Sequence, residues 1–317
     1  DESFMQSLPL PPNTVIYDDH GENGYEADPA VRTQANPLVL GDGNTANGNA
    51  ATYCVPTGCA GDIMPVGAVL RLNNSATVTP GTIPIPRTVG NVVFDGRDKI
   101  SATDPVSVTH ATWNPTILAL HSEMASAFDT SRWGVNFVTP VGTDTPAQGA
   151  GGNNFNYSGL EVMAKEAGTL VYLDLNGDGD YLDAGDVNGT VTLGEGQTYY
   201  KNGGVPEGAV VVTSKPVQVF LMTGRIGSSY EDHSYQVFPT QGLVNDYVAP
   251  ASTARATGGA YATVLYLYNP QSSAITVTVQ TPSGSTNYSI PAGQTLNPAP
   301  YLAAGEGARV TSNTTFA

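Results

Sequence analysis

Short runs of alternating apolar residues, separated by Gly, Pro, Asn and Asp, fill most of the 317-residue chain. Residues 209–214, 217–222 and 274–281 are examples in which apolar side chains recur with a period close to two. That period is typical of strands that bury one face of an antiparallel sheet. Helical periodicity is nearly absent. The best candidate for a helix is residues 115–128, which contain an apolar stripe but no convincing cap, so the pattern fits a helix and a non-helical segment equally well. The pattern predicts an all-β fold of antiparallel sandwiches.

The chain carries few charges for its size, and most of them are acidic. Twelve Lys and Arg residues oppose 28 Asp and Glu residues, which gives a formal net charge of −16. Such a chain lacks the basic surface that nucleic acid requires, and anionic membranes repel it. No apolar run reaches the roughly 18 residues of a membrane-spanning helix. We therefore expect no nucleic-acid partner and no membrane span, and the absence of an apolar leader predicts that Asp1 begins a processed chain.

The two cysteines, Cys54 and Cys59, are separated by four residues that include Pro and Gly. This spacing suits a disulfide that closes a tight loop, although a pair of free buried thiols is the alternative. Two thiols alone cannot complete a zinc site. Scarce Lys also favours an extracellular protein, in which disulfides persist. Five Asn-x-Ser/Thr sequons add weak support for glycosylation; they begin at Asn73, Asn156, Asn188, Asn287 and Asn313.

Three blocks of sequence recur in the same order, which predicts a repeated β module. The repeated pairs are 97–110 with 208–221, 121–140 with 233–250, and 168–200 with 273–296, and a third copy of the first block occupies 307–316. The first two blocks recur at an offset of about 110 residues. Each copy of the first block reads as apolar strand segments around a small turn, so we expect recurring strand pairs.

From these repeats we predict three tandem immunoglobulin-like β-sandwich modules, at residues 50–157, 158–257 and 258–317. Residues 1–49 contain several Pro, Gly and Asn residues and are predicted to form an extended N-terminal arm. The arm either follows the surface of its own chain or pairs with an exposed strand edge of a neighbouring subunit. The third module ends at Ala317 within its last strand, so a neighbour's strand could complete it.

Two short sequence motifs resemble those of known protein families. They are Thr-Ser-Lys-Pro-Val-Gln-Val-Phe at residues 213–220 and Trp-Gly-Val-Asn-Phe-Val-Thr-Pro at residues 133–140. Over about residues 100–240 the chain resembles the extracellular β modules of bacterial surface proteins and, distantly, the N-terminal region of IgG Fc-binding-type proteins. The resemblance implies an extracellular β-rich surface or matrix protein. The cysteine-rich repeats of the animal members are missing, so Fc binding is not carried over.

One acidic segment has the composition of a calcium loop. Asp, Asn, Asp and Gly stand at its positions 1, 3, 5 and 6, which resembles the start of an EF-hand loop. Position 12 is Gly185 instead of Glu, and both flanks are strand-like, so the segment resembles calcium loops that secreted bacterial proteins insert between strands. Ca²⁺ prefers six to eight oxygen ligands, and the candidates are Asp174, Asn176, Asp178, Asp180, Asp183 and Asp186. A solvated acidic turn is the alternative, and Mg²⁺ fits the ligand number less well.

The chain contains none of the common catalytic motifs, such as Gly-x-Ser-x-Gly, His-Glu-x-x-His or a phosphate-binding Gly-rich loop. We therefore predict that it is not an enzyme. The leading hypothesis is an extracellular or cell-surface structural protein: a calcium-stabilised subunit that self-assembles into a filament or layer, as a homo-oligomer or polymer joined by strand exchange through the N-terminal arm. The alternative is a cell-surface adhesin that binds glycan or protein. A hydrolase with two carboxylates ranks third.

Overall fold

The computed structural model describes residues 10–18, 38–71, 99–113, 122–146, 154–226, 232–251 and 263–317. These residues form antiparallel sheets with almost no helix, which confirms the all-β prediction. In the same residues no helix is long and apolar enough to cross a membrane. The chain divides into two compact units. The N-terminal unit is Asp1–Thr109 with Leu193–Thr198, and the C-terminal unit is His110–Thr192 with Tyr199–Ala317.

The N-terminal unit contains a three-stranded antiparallel sheet. Its strands are β1 (Val15–Asp18), β2 (Leu38–Leu40) and β3 (Lys99–Ala102), in the order β2-β1-β3. A short helix α1 (Ala50–Tyr53) and a 3-10 turn (Ala60–Asp62) follow β2, and Ala50 of the helix packs with buried side chains of the sheet. The segment predicted as an arm therefore contributes two strands that pair inside its own chain, and β1 has a partner on each edge. The predicted module boundaries stay a prediction.

A seven-stranded sheet forms the first part of the C-terminal unit. Its strands are β6 (Gly134–Val138), β7 (Tyr157–Ala164), β8 (Thr169–Asp174), β9 (Val187–Leu193), β10 (Thr198–Lys201), β11 (Val210–Gly224) and β12 (Asp232–Val237). A separate pair, β4 (Thr109–Trp113) with β5 (Ser122–Ser126), precedes it in the chain. The 15-residue strand β11 is central: its first half pairs with β6 and β8, and its second half pairs with β7 and β12.

The ladder along β11 is interrupted at residues 214–216, opposite the connection between β7 and β8. There the backbone N–H of Lys165 donates to the carbonyl of Pro216 at 3.2 Å, and that of Leu170 donates to the Ser214 hydroxyl at 2.9 Å. The Lys215 ammonium donates to the Ala167 carbonyl at 2.5 Å. These bonds satisfy backbone groups that lose their ladder partners at the irregularity. As a result, two apolar runs separated by Pro216 act as one continuous strand.

The second part of the C-terminal unit is a four-stranded sheet with its own hydrophobic core. Its strands are β13 (Val244–Ala249), β15 (Ile275–Thr281), β16 (Gly284–Ile290) and β18 (Ala308–Phe316), and a small pair, β14 (Thr263–Val264) with β17 (Tyr301–Leu302), lies apart from them. The order is β13-β18-β15-β16, so β18 is an interior strand with a partner on each side. β13 of the same chain already pairs with β18 on that side. That a neighbour's strand completes the third module stays a prediction.

The second repeated block has the same elements in both copies. In one copy β5 leads through a 3-10 turn (Thr130–Arg132) to β6, and in the other β12 leads through a 3-10 turn (Thr240–Gly242) to β13. The helix considered for residues 115–128 is wrong in its second half, since Ser122–Ser126 is a strand. Residues 115–121 lie outside the described residues. Met124 is the only member of the proposed apolar stripe inside that strand, which explains why helical spacing was misleading there.

Candidate functional site

The acidic segment forms the connection between β8 and β9, and its first and last acids hold the loop closed. Asp174 is buried, and its carboxylate accepts the backbone N–H groups of Gly177 at 2.6 Å and Gly179 at 2.9 Å. Asp186 accepts the N–H groups of Leu175 at 2.9 Å and Asp183 at 3.2 Å. Both carboxylates therefore satisfy backbone donors that the turn leaves without ladder partners.

Three of the six predicted ligands come together on the exposed side of this loop. Carboxylate oxygens of Asp178, Asp180 and Asp183 lie within 4.8 Å of one another, and all three residues are exposed. The side-chain amide of Asn176 donates to Asp178 at 3.1 Å and to Asp183 at 2.7 Å. Asn176 thus borders the same cluster, and its amide oxygen accepts the backbone N–H of Asp178 at 3.1 Å. Oxygen donors of this kind suit a hard divalent cation.

The loop is held against the neighbouring strands by side chains of both β8 and β10. The ring of Tyr181 packs edge-on against Tyr172, with ring centroids 5.5 Å apart. The Lys201 ammonium donates to the Gly185 carbonyl at 3.1 Å. Burial, together with the charge of Asp174, raises the pKa of the Tyr181 hydroxyl. These contacts fix both sides of the acidic cluster relative to the sheet.

In the N-terminal unit Cys54 and Cys59 form the predicted disulfide, with a Cα–Cα distance of 6.0 Å. Beside it lies Asp62, which is fully buried. The Asp62 carboxylate accepts the backbone N–H groups of Gly41 at 3.0 Å, Gly43 at 3.1 Å and Ala50 at 2.6 Å. Asp62 was not singled out from the sequence, although it is the only charged residue between positions 54 and 70. An acid isolated in an uncharged stretch is the signal that indicates such a structural role.

The two segments that contain the 3-10 turns of the repeated block pack against each other. The rings of Phe128 and Phe238, which precede the two turns, lie 4.8 Å apart. The indole N–H of Trp133 donates to the Phe128 carbonyl at 3.1 Å. A side chain at Gly134 would place its Cβ 2.3 Å from the Cβ of Pro239, so only glycine permits this close approach. The segments that flank the two turns are therefore in direct contact, with no room for a larger residue at position 134.

The contact between the turns leaves a partly exposed aromatic surface. Phe128 and Trp133 are half-buried, and Phe238 is 44% exposed. Arg132 is exposed beside them, 3.4 Å from Asp129. Hydrogen bonds from Ser131, followed by the charge of Arg132, hold the pKa of Asp129 below its usual value. We call this the turn-pair surface, defined by Phe128, Arg132, Trp133 and Phe238. The sequence does not indicate this surface, because the two segments that supply its aromatic residues lie 110 residues apart.

A comparison with protein families assigns most of this region. The sequence profile of the family described as IgGFc binding protein matches residues 124–317, which is more than half of the chain. The chain belongs to this family. The predicted resemblance to the IgG Fc-binding-type region is therefore confirmed, and the family is a binding family and not an enzyme family. No curated protein and no solved structure matches the chain.

The family match begins within β5 and extends to the last residue. The matched residues include the acidic loop, the two 3-10 turns of the repeated block and the four-stranded sheet. The disulfide and Asp62 lie outside the matched residues. The region that the family shares is thus the one that carries the turn-pair surface and the acidic cluster.

Proposed function

We propose that this chain is an extracellular adhesin-type protein whose C-terminal unit binds a protein partner through the turn-pair surface. The observation that carries the proposal is the partly exposed aromatic contact between the residues that precede the two repeated turns. Three observations support an extracellular role: membership of a binding family, the disulfide, and an acidic composition that anionic membranes would repel. The glycan-binding version of the adhesin hypothesis is an outcome of the test below.

The turn-pair surface has the chemistry of a binding hot spot. Trp, Tyr and Arg dominate the residues whose truncation weakens protein interfaces, and such residues cluster in well-packed parts of the surface. Here Trp133 and Phe128 are joined by a hydrogen bond, and Phe238 packs on Phe128. Little side-chain entropy remains to be lost when a partner covers these rings.

The first ligand to test is the IgG Fc fragment, because the family is named for it. Surface plasmon resonance would compare the unmodified chain with Trp133→Ala and Phe238→Ala, and with Tyr301→Ala as a control. Tyr301 is an exposed aromatic residue outside the turn pair. We expect both turn-pair variants to weaken binding at least tenfold and the control to leave it unchanged. Equal binding by all variants would refute this surface, and binding only to Fc that retains its glycan would favour a glycan ligand.

The second candidate function is a subunit of a self-assembling surface filament or layer. The observation that favours it is the unpaired outer edge of β16 in the four-stranded sheet, within the part of the chain described, which can supply one of the at least two different contacts that a filament or layer needs. Strand exchange through the N-terminal arm is a weaker version, because a neighbour would have to displace β2 or β3 from β1. Negative-stain electron microscopy with and without chelator tests it: ordered polymers support this function, and dispersed particles under both conditions contradict it.

We also propose that the acidic loop binds Ca²⁺ in a structural role. Asp178, Asp180 and Asp183 would supply carboxylate oxygens, and Asn176 would supply its amide oxygen. A cation that binds only the folded state stabilises it by about 2.7 kcal/mol at 100 times its Kd. Calorimetric titration with Ca²⁺ should show saturable heat for the unmodified chain and none for Asp178→Ala.

The matched control for the calcium experiment is Asp246→Ala. This variant also removes one exposed acid, but from β13, where Asp246 pairs with Arg309. It should bind Ca²⁺ like the unmodified chain. Chelation should lower the melting temperature of the unmodified chain and of this control alike. An identical melting temperature with and without chelator would contradict a structural calcium site.

A further inference from the structure

Strand β16 is an edge strand that lacks the features by which proteins usually protect such edges. All seven of its residues, Gly284–Ile290, pair one-to-one with β15 without a bulge. The strand contains no charged residue and no proline. Five of the seven residues are exposed, and within the described residues no strand pairs with the outer edge. Lys, Pro, bulges and short length are the common safeguards against edge pairing, and none is present here.

The opposite edge of the same sheet is protected in two of these ways. On β13 the carboxylate of Asp246 accepts two hydrogen bonds from the Arg309 guanidinium. These bonds lower the pKa of Asp246, which keeps the pair charged. The register of β13 against β18 is also irregular between Val244 and Asp246. The contrast between the two edges indicates that β16 is the edge suited to pairing with another strand.

We propose that β16 pairs antiparallel with β16 of a second copy of this chain, about a two-fold axis at Asn287. Copies with a net charge of −16 repel each other over most approaches. The uncharged edge of β16 is a surface at which two copies can meet without opposing carboxylates. The net charge therefore restricts contact between two copies to a neutral edge of this kind.

The register about Asn287 places compatible residues opposite one another. Thr286 faces Tyr288 of the second copy, and Ser285 faces Ser289 of the second copy. Aromatic side chains opposite β-branched ones are favourable cross-strand pairs. Tyr288 already packs against the core of its own sheet, so Thr286 and Tyr288 would continue that face across the dimer. Asn287, Ser285 and Ser289 lie on the other, solvated face.

The symmetry of this contact limits what it can build. A two-fold contact uses the same edge on both copies and closes as a dimer, so it cannot by itself produce a filament. One strand pair buries less than a standard interface, and we therefore expect a weak, concentration-dependent dimer. The dimer would present two turn-pair surfaces and raise avidity for a multivalent partner. The pairing itself depends on no property of the turn-pair surface.

Cysteine cross-linking tests the register directly. Protein made without N-glycosylation is required, since Asn287 begins a sequon and a glycan there would block the edge. Under mild oxidation Asn287→Cys should form a disulfide-linked dimer of twice 32.9 kDa. Thr276→Cys is the matched control: it is exposed on the same face of the sheet but lies on the interior strand β15. Equal cross-linking by the two variants would overturn the proposal.

A second experiment remains informative if replacing Asn287 disturbs the fold, since Asn287 accepts a hydrogen bond from the Thr278 hydroxyl. Ser285→Cys and Ser289→Cys are made separately and mixed. Because each residue faces the other across the two-fold axis, the mixture should cross-link and either variant alone should not. Cross-linking of Ser285→Cys alone to the same extent, or no cross-linking of the mixture at millimolar concentration, would exclude this register.

Discussion

Replacing Glu207 by alanine is expected to destabilise the C-terminal unit by about 3 kcal/mol. Glu207 precedes β11, and its carboxylate joins two segments distant in sequence. It accepts the backbone N–H of Thr295 at 2.6 Å and the hydroxyl of Thr145 at 2.9 Å. Thr295 is 8% exposed and Thr145 is 2% exposed, so water cannot readily replace the lost acceptor. Thr295 also donates its hydroxyl to the Pro140 carbonyl, which makes this a junction of three loops.

The magnitude follows from these two bonds. A hydrogen bond to a charged group contributes about 1.5–3 kcal/mol net, so two contribute about 3–6 kcal/mol. Glu207 itself is half-buried, which allows some water to enter and favours the lower value. For a unit of about 200 residues, 3 kcal/mol corresponds to a fall of about 6–12 °C in melting temperature. Glu207→Gln keeps an acceptor oxygen and should lose about half as much.

Differential scanning calorimetry of both variants measures the effect, with Glu306→Ala as the control. Glu306 also accepts a side-chain hydrogen bond, but from an exposed hydroxyl, that of Ser283. The control should melt within about 1 °C of the unmodified chain, because exposed pairs contribute little. If Glu207→Ala and Glu306→Ala shift the melting temperature equally, the reasoning about the buried junction is refuted.

Three further predictions concern single groups. Asp62→Ala should destabilise the N-terminal unit by about 3 kcal/mol or more, because three backbone donors lose their acceptor; an unchanged urea midpoint would contradict this. Reduction of Cys54–Cys59 should cost about 2 kcal/mol, the loop-closure value for a six-residue loop, measured by urea unfolding with and without reductant. Burial, and to a smaller extent the charge of Glu207, raises the pKa of the Tyr268 hydroxyl to about 12. The unfolded chain releases this proton near pH 10, so the free energy of unfolding should fall as the pH rises from 10 to 12. The fall should be less steep in Tyr268→Phe.

The strands were predictable where alternation is regular, and less so where a strand changes partner. Residues 209–214 and 217–222 were predicted as two strand segments, and the structure joins them in β11. Pro216 interrupts the alternation in β11. The strands that pair with β11 are also interrupted opposite this position, by the connection between β7 and β8. The interruption is thus shared by both sides of the ladder, which no single segment of sequence reveals.

The acidic loop could be located from its spacing, but the roles of its acids could not. An EF-hand-like pattern treats Asp174 and Asp186 as cation ligands. In the structure their carboxylates accept loop N–H groups, because closing a turn between two strands exposes donors that need acceptors.

The turn-pair surface follows from the duplication itself. Phe128 and Phe238 occupy equivalent positions in two copies of one block, each two residues before its 3-10 turn begins, and they contact each other. The copies then diverge: Trp133 follows the first turn and the buried Leu243 follows the second. The duplication therefore supplies the paired scaffold, and the divergence at one position supplies the half-buried indole. Because the surface needs residues from both copies, a single copy of the block has no equivalent surface. We therefore expect Trp133→Ala, which changes the first copy, and Phe238→Ala, which changes the second, each to weaken binding.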